Sequence, residues 1–175
     1  MVWKITTDEL LARYNAGERD FNGIELIRIP ERDGIDGPIE GLEGANLLGI
    51  SLRGANLEDI WFVEANLTRA DLFGVSLIHA SLADAILKEA NLFSANLTKA
   101  VCHRADFSGA ILAQMNATDT SFIDATLNYF ECAVLARANF QGAKGRLYLR
   151  TRCNLIWHTT MPNGTVEKGP YCRWN

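Results

Sequence analysis

The chain of 175 residues is 48% hydrophobic and 22% charged, with 4 prolines and a formal net charge of −4; this suits one compact domain and excludes disordered, collagen-like and mucin-like chains. Its opening, MVWKITTDELL, carries Asp8 and Glu9 where a secretory leader would be apolar, and no charge-free apolar run is long enough to cross a bilayer, so a cytoplasmic address is expected. Four cysteines without a CxxC pair argue against both a disulfide scaffold and a zinc site.

The first predicted element is a short helix. Thr6-Thr7-Asp8-Glu9 has the spacing of a capping box, Leu10, Leu11 and Tyr14 follow at helical intervals, and Gly17 stops the run. Next come RDFNG and IELIR, five-residue units centred on Phe21 and Leu26. The stretch from about 27 to 39, with Pro30, Gly34, Gly37 and Pro38, reads as a surface loop.

From residue 40 the chain can be written as 18 consecutive units of five. The central residue is Leu in 13 of them, Phe at 62, 107 and 122, Cys at 102 and Ala at 117; the residue two before the centre is Ala in 12. A period of five suits neither ordinary element. On a helix the leucines would turn by about 140° per step and form no stripe. On a flat strand, alternate leucines would face water. All of them are buried only if the chain bends once per unit, which describes a β-solenoid. A six-residue left-handed β-helix is excluded because the spacing holds at five.

Register fails after Leu127, where NYFECAV precedes AVLAR and ANFQG, centred on Leu135 and Phe140. Eight residues separate Leu127 from Leu135 where five are expected, and a three-residue corner bulge is the predicted cause. The tail from 146 leaves the repeat, and its Pro-Asn-Gly turn predicts one or two strands around Met161 to Thr165. The chain divides accordingly into 1–20, a capping helix and entry; 21–145, the solenoid with its loop at about 27–39; and 146–175, a capping tail. Helix and tail are expected to cover the apolar ends of the rod.

The A-(N/D)-L-x-x run resembles the pentapeptide repeat proteins of cyanobacterial type, and the tail, with its TTMP-x-G run, is similar to the ending of many of them. The resemblance implies an all-β, right-handed quadrilateral β-helix with four units per coil, hence about five coils here. Residues 20 apart would then stack, in interior columns such as Leu42, Phe62, Leu82, Cys102 and Phe122.

Candidate functional residues are those that such a coil points outward. Trp61, Val63, Val101 and Ile123 form an apolar patch on the first face; Phe73 and Phe93 stack on the third, with Ile111 beside them. The loop or the tail could fold back over either patch. Cys102 and Cys132 read as small buried hydrophobes, and Cys153 and Cys172 as a possible disulfide across the tail. His79, His103 and His158 are scattered without ligand partners, so no catalytic residue, metal or cofactor is expected, and no small-molecule substrate, nucleic acid or membrane as partner. The expected function is non-enzymatic: a protein–protein interaction or scaffold module whose partner is another protein or a second copy.

The resemblance also implies an alternative, a DNA-mimicking inhibitor of a topoisomerase such as gyrase. Mimicry needs an acidic stripe. Residues 40–145 carry 12 acids and 7 bases, whereas residues 146–175 carry 1 acid and 5 bases. The outward acids Glu58, Asp59, Glu64, Asp84, Glu89, Asp119 and Asp124 are interrupted by Arg53, Arg69, Lys88, Lys99 and Arg104.

Overall fold

The structure, a computed structural model, describes residues 3–33, 37–150 and 153–170. Parallel bridges tie each residue ahead of a unit centre to its equivalent 20 positions on: Asn46 to Asn66, Ser51 to Asp71, Asn56 to Ser76 and Trp61 to Ser81. Four five-residue sides therefore complete one turn. Numbered from the side that carries Leu42, the four faces hold interior columns beginning at Leu42, Leu47, Leu52 and Leu57, all fully buried.

Each unit works the same way. The amide of Leu67 donates to the carbonyl of Ile86 (2.8 Å) and that of Ile86 to Ala65 (2.9 Å), so every side is a two-bond rung of a parallel ladder. At the corner Ala65 donates back to Phe62 at 3.0 Å, closing a four-residue turn. The residue two before each centre also enters the interior; it is usually Ala, but Ile50, Ile60, Val75 and Met115 are fully buried there, so the coil takes a larger side chain at some corners. The residue ahead of the centre points outward and is often Asn or Asp, whose side chain accepts from the amide two residues on, as Asn66 Oδ1 does from Thr68 at 3.1 Å.

The third residue of each corner turn is left-handed. Glycine occupies several of these positions, but Ser94 adopts φ 57°, Gln114 57° and Arg69 58°. A side chain there works against Cβ sterics. Ser94→Gly is therefore expected to raise stability by about 0.5–1 kcal/mol and Ser94→Val to lower it by about 1–2 kcal/mol, read from urea midpoints.

The N-terminal end is built from pieces on either side of the predicted helix. Strand β1 (Trp3–Ile5), which no local sequence pattern predicts, pairs in parallel with β2 (Ile24–Leu26) and adds Ile5 below Leu26 in the fourth column. Between them α1 (Thr7–Asn15) packs against the first turn, with Thr6 as its N-cap accepting from Glu9 and Thr7 donating to the Glu40 carbonyl at 2.9 Å. It buries Thr7, Leu10 and Tyr14, and the Tyr14 hydroxyl donates to the Leu48 carbonyl at 2.9 Å.

Phe21 and Leu26 stack on Leu52 and Leu57. Their neighbours Asp20 and Glu25 bridge to Ser51 and Asn56, 31 positions later and not 20. The excess is the loop at 27–39, which contains one helical turn, α2 (Pro30–Asp33). Pro30 suits a first helical position because no donor is needed there.

Asp33, with its carboxylate buried, holds this loop in place. It accepts from the amides of Ile29 (2.7 Å) and Glu40 (3.4 Å) and from Arg32 Nε (3.0 Å), while Arg32 also reaches Asp8, Thr7 and the Glu40 carbonyl. Burial alone would raise the carboxyl pKa. The bonds from Ile29, Arg32 and Glu40 outweigh burial and hold it below its ordinary value. A lowered folded value means that the group stabilises above the unfolded aspartate pKa, about 3.9, and that this contribution disappears as pH falls through the folded value. Asp33→Asn should flatten that acid limb and speed hydrogen exchange at the Ile29 amide; an unchanged acid limb would show that Asp33 does not anchor the loop.

The register break differs from the predicted bulge. Leu112 pairs with Phe130, Asn116 with Val134 and Ser121 with Asn139, each 18 positions on. The coil is thus shortened by two residues, not lengthened by three: Phe130 is itself a unit centre on the third face, and the corner after Leu127 is lost. Strands β3 (Leu112–Ala113), β4 (Thr126–Leu127) and β5 (Phe130–Glu131) surround this tightened corner. Phe130 fills the third column, where it meets Phe122 and Phe140 at ring separations of 6.0 and 5.5 Å.

The next turn is longer, Val134 pairing with Leu155 and Asn139 with Thr160 at 21 positions. It begins at β6 (Lys144–Gly145), where a Cβ on Gly145 would lie 2.1 Å from the Leu127 carbonyl oxygen, so no other residue fits. The tail then forms an antiparallel hairpin, β7 (Thr159–Thr160) with β8 (Val166–Glu167), around the Pro-Asn-Gly turn.

The cysteines also depart from the sequence-based expectation. Cys153 is bonded to Cys132, at a Cα separation of 4.6 Å, and not to Cys172, which lies outside the described residues. Cys132 is exposed, not buried. The two bonded residues occupy equivalent left-handed corners one turn apart, φ 51° and 53°, and the stacking of turns brings them together. Cys102 is a buried free thiol, and burial pushes its pKa far above the ordinary value.

Candidate interaction surface

Because unit centres and the residues two before them point inward, each unit presents three outward columns, one ahead of the centre, one after it and one at the corner. On the first face Trp61 and Val101 share the leading column with Ser81 between them, and are 39% and 36% exposed. Val63 and Ile123, in the trailing column, are half-buried. These four residues share a face without forming one continuous apolar strip, since Ser81, Ala83 and His103 lie among them. The loop reaches this face at Ile39, whose carbonyl accepts from the Trp61 amide at 2.9 Å, and the indole remains exposed.

On the third face Phe73 and Phe93 lie in the trailing column and Ile111 and Tyr129 in the leading one. Phe73 and Phe93 stack one turn apart with ring centroids at 5.6 Å and planes within 3°. The Arg53 guanidinium lies 4.5 Å from the Phe73 centroid and also pairs with Asp71 at 2.9 Å. In the leading column, Ile111 is 50% exposed and Tyr129 stands above it at 47%. Sequence reasoning misses Tyr129 because it places NYF in a bulge; taking Phe130 as a centre would find it.

Charges run along the corners as pairs. Arg69 contacts Glu89 at 2.7 Å, Arg104 contacts Asp84, and Arg137 contacts Asp119, each one turn apart. Arginine hydrogen bonds hold the Asp84 and Asp119 carboxyls below their ordinary values. For Asp106 burial acts upward, and it is overcome by the Ser108 hydrogen bonds and Lys88. Such exposed pairs align the turns and add little stability.

His79 Nδ1 lies 3.5 Å from Asp59, which Arg28 also contacts, and His103 meets the Ser121 hydroxyl at 2.8 Å. Among the described residues no group of three or more His, Cys, Asp or Glu side chains is placed to hold a metal ion, and no helix is long and apolar enough to cross a membrane.

Parallel rungs, a four-sided turn and an interior of stacked leucines, phenylalanines and alanines define a quadrilateral β-solenoid. The model of the pentapeptide repeats matches residues 42–69, 70–101 and 100–129 in 8 copies, and the chain belongs to that family. Its fold is accordingly the right-handed quadrilateral β-helix expected from the repeat.

Among solved structures the chain is similar to trypsin-treated QnrB1, a plasmid-mediated fluoroquinolone resistance protein, at 15% identity and a TM-score of 0.57 over 84% of this chain. It spans 66% of that chain's length. It is also similar to Rfr23, a pentapeptide repeat protein from the cyanobacterium Cyanothece 51142, at 18% identity and a TM-score of 0.45, covering 79% of this chain and 92% of that one. No curated protein matches.

Proposed function

We propose that the protein is a non-enzymatic binding module that docks a protein partner on the third face of its solenoid, with the first-face patch around Trp61 and Val101 as a secondary contact. The observation that carries this reading is the stacked pair of Phe73 and half-buried Phe93, with exposed Ile111 and Tyr129 on the same face, on a wall fixed by backbone ladders. Large apolar side chains gathered on one face mark interaction sites, and a surface that does not reorganise on binding loses little entropy.

The alternative, duplex mimicry aimed at a topoisomerase, has less support. Asp84, Glu89 and Asp119 each sit beside an arginine, which cancels much of the field that a phosphate mimic needs.

The test compares affinity capture by the wild type with Phe73→Ser/Phe93→Ser/Ile111→Ser and with Trp61→Ser/Val101→Ser, all checked for folding by circular dichroism. Partners held by the wild type and lost by the triple variant, with at most a partial loss in the double variant, are expected. Identical captures by all three would remove the docking role, and inhibition of gyrase supercoiling at low micromolar concentration would favour mimicry.

A further inference from the structure

We propose that Cys132 and Cys153 form a thiol–disulfide exchange site, open to a dithiol reductant, that fastens and releases the segment closing the C-terminal end of the rod. Two features make the bond reachable in the folded protein. Cys132 sits on an exposed outer corner, and Cys153 is half-buried one turn above it. Neither sulfur belongs to the interior columns, so the ladders from Leu42 to Phe122 do not depend on the bond.

The bond spans 21 residues, from the shortened coil to the stretch that follows Gly145. That stretch has left the repeat. Between β6 and the bridge at Leu155 its described buried residues are Leu149 and Asn154. Asn154 holds the turn by one buried amide: its Oδ1 accepts from Ala133 at 2.9 Å and its Nδ2 donates to the carbonyls of Phe130 and Leu149 at 3.2 and 3.3 Å. The disulfide is a second fastening one residue away. Below it lie the closely packed rings of Phe122, Phe130 and Phe140.

In the exchange a reductant thiolate attacks the sulfur of exposed Cys132, the bond between Cys132 and Cys153 breaks, and Cys153 leaves as a thiolate that takes up a proton. The second thiol of the reductant then resolves the mixed disulfide. The Cys132 thiol is released and the reductant is oxidised to its own disulfide, so two electrons and two protons pass to the protein.

The test uses the full chain with dithiothreitol as the dithiol. After treatment without denaturant, Cys132 and Cys153 should become alkylatable by iodoacetamide while Cys102 stays protected. Amides of Leu149 and of Asn154 to Ile156 should then exchange with deuterium roughly 100-fold faster, the loop-closure effect for a ring of this size, and those from Leu67 to Leu97 should not change. Cys132→Ser/Cys153→Ser should exchange like the reduced protein. The proposal is overturned if the bond is reduced only in denaturant, if reduction leaves exchange at Leu149 and at Asn154 to Ile156 unchanged or accelerates it over the whole chain, or if peptide mapping finds Cys153 joined to Cys172. Should the double variant fail to fold, the comparison of oxidised with reduced wild type decides alone.

Discussion

Phe122→Ala should lower the stability of the protein by about 3–5 kcal/mol, as the loss of a large ring from a rigid interior does. Phe122 is fully buried in the first column, stacked on Phe140 at 5.1 Å and in edge contact with Phe107 and Phe130 at 5.9 and 6.0 Å. It therefore links two regular turns to the shortened one. The cavity left by its ring cannot collapse, because the ladders on all four sides hold the backbone at fixed spacing. Urea denaturation followed by circular dichroism measures the loss. Phe93→Ala, which removes an outward ring, should cost less than about 1 kcal/mol in the same experiment. Similar losses at the two positions would mean that inward and outward columns have been misassigned.

Asn154→Leu should cost about 2–4 kcal/mol and loosen the C-terminal end before the rest unfolds. Asn154 is only 4% exposed, and its amide stands where the regular repeat places an alanine and a direct turn bond. Replacing it with an apolar side chain of similar size fills the space but strands the Ala133 amide and the Phe130 carbonyl. Solenoids couple neighbouring turns more strongly than distant ones, so the damage should stay near Phe130 to Thr160. Limited proteolysis should show early cleavage in that region. A variant as resistant as wild type would mean that the direct bond between Ala133 and Phe130 re-forms.

The repeating body is legible from residue 40 to Leu127 because a period of five has only one consistent way to bury its leucines and alanines. That Phe73 and Phe93 stack follows from the same periodicity once four sides per turn are assumed. The break is not legible. A gap of eight residues is filled equally well by a bulge of three after a complete unit or by a shortened unit centred on Phe130. Asn128, standing where Ala is usual, hides the second solution.

Two further features are hidden by that gap. Tyr129 does not show itself as part of the third face, and Cys132 cannot be aligned with Cys153 until the turns of 18 and 21 residues are known. Strand β1 has only three residues, and its pairing with β2 depends on contacts across α1 that no local pattern encodes. The loop lies where Pro30, Gly37 and Pro38 place it but contains a helical turn, built on the Asp33 carboxylate.

The docking role of the third face can be tested by placing a photo-cross-linking benzoylphenylalanine at position 93 and, separately, at position 98 on the neighbouring fourth face, then irradiating each protein in extract of its source cell. A discrete cross-linked protein is expected from position 93, absent from position 98 and lost when Phe73 and Ile111 are changed to serine. Equal cross-linking from both positions, or none from position 93, would contradict it.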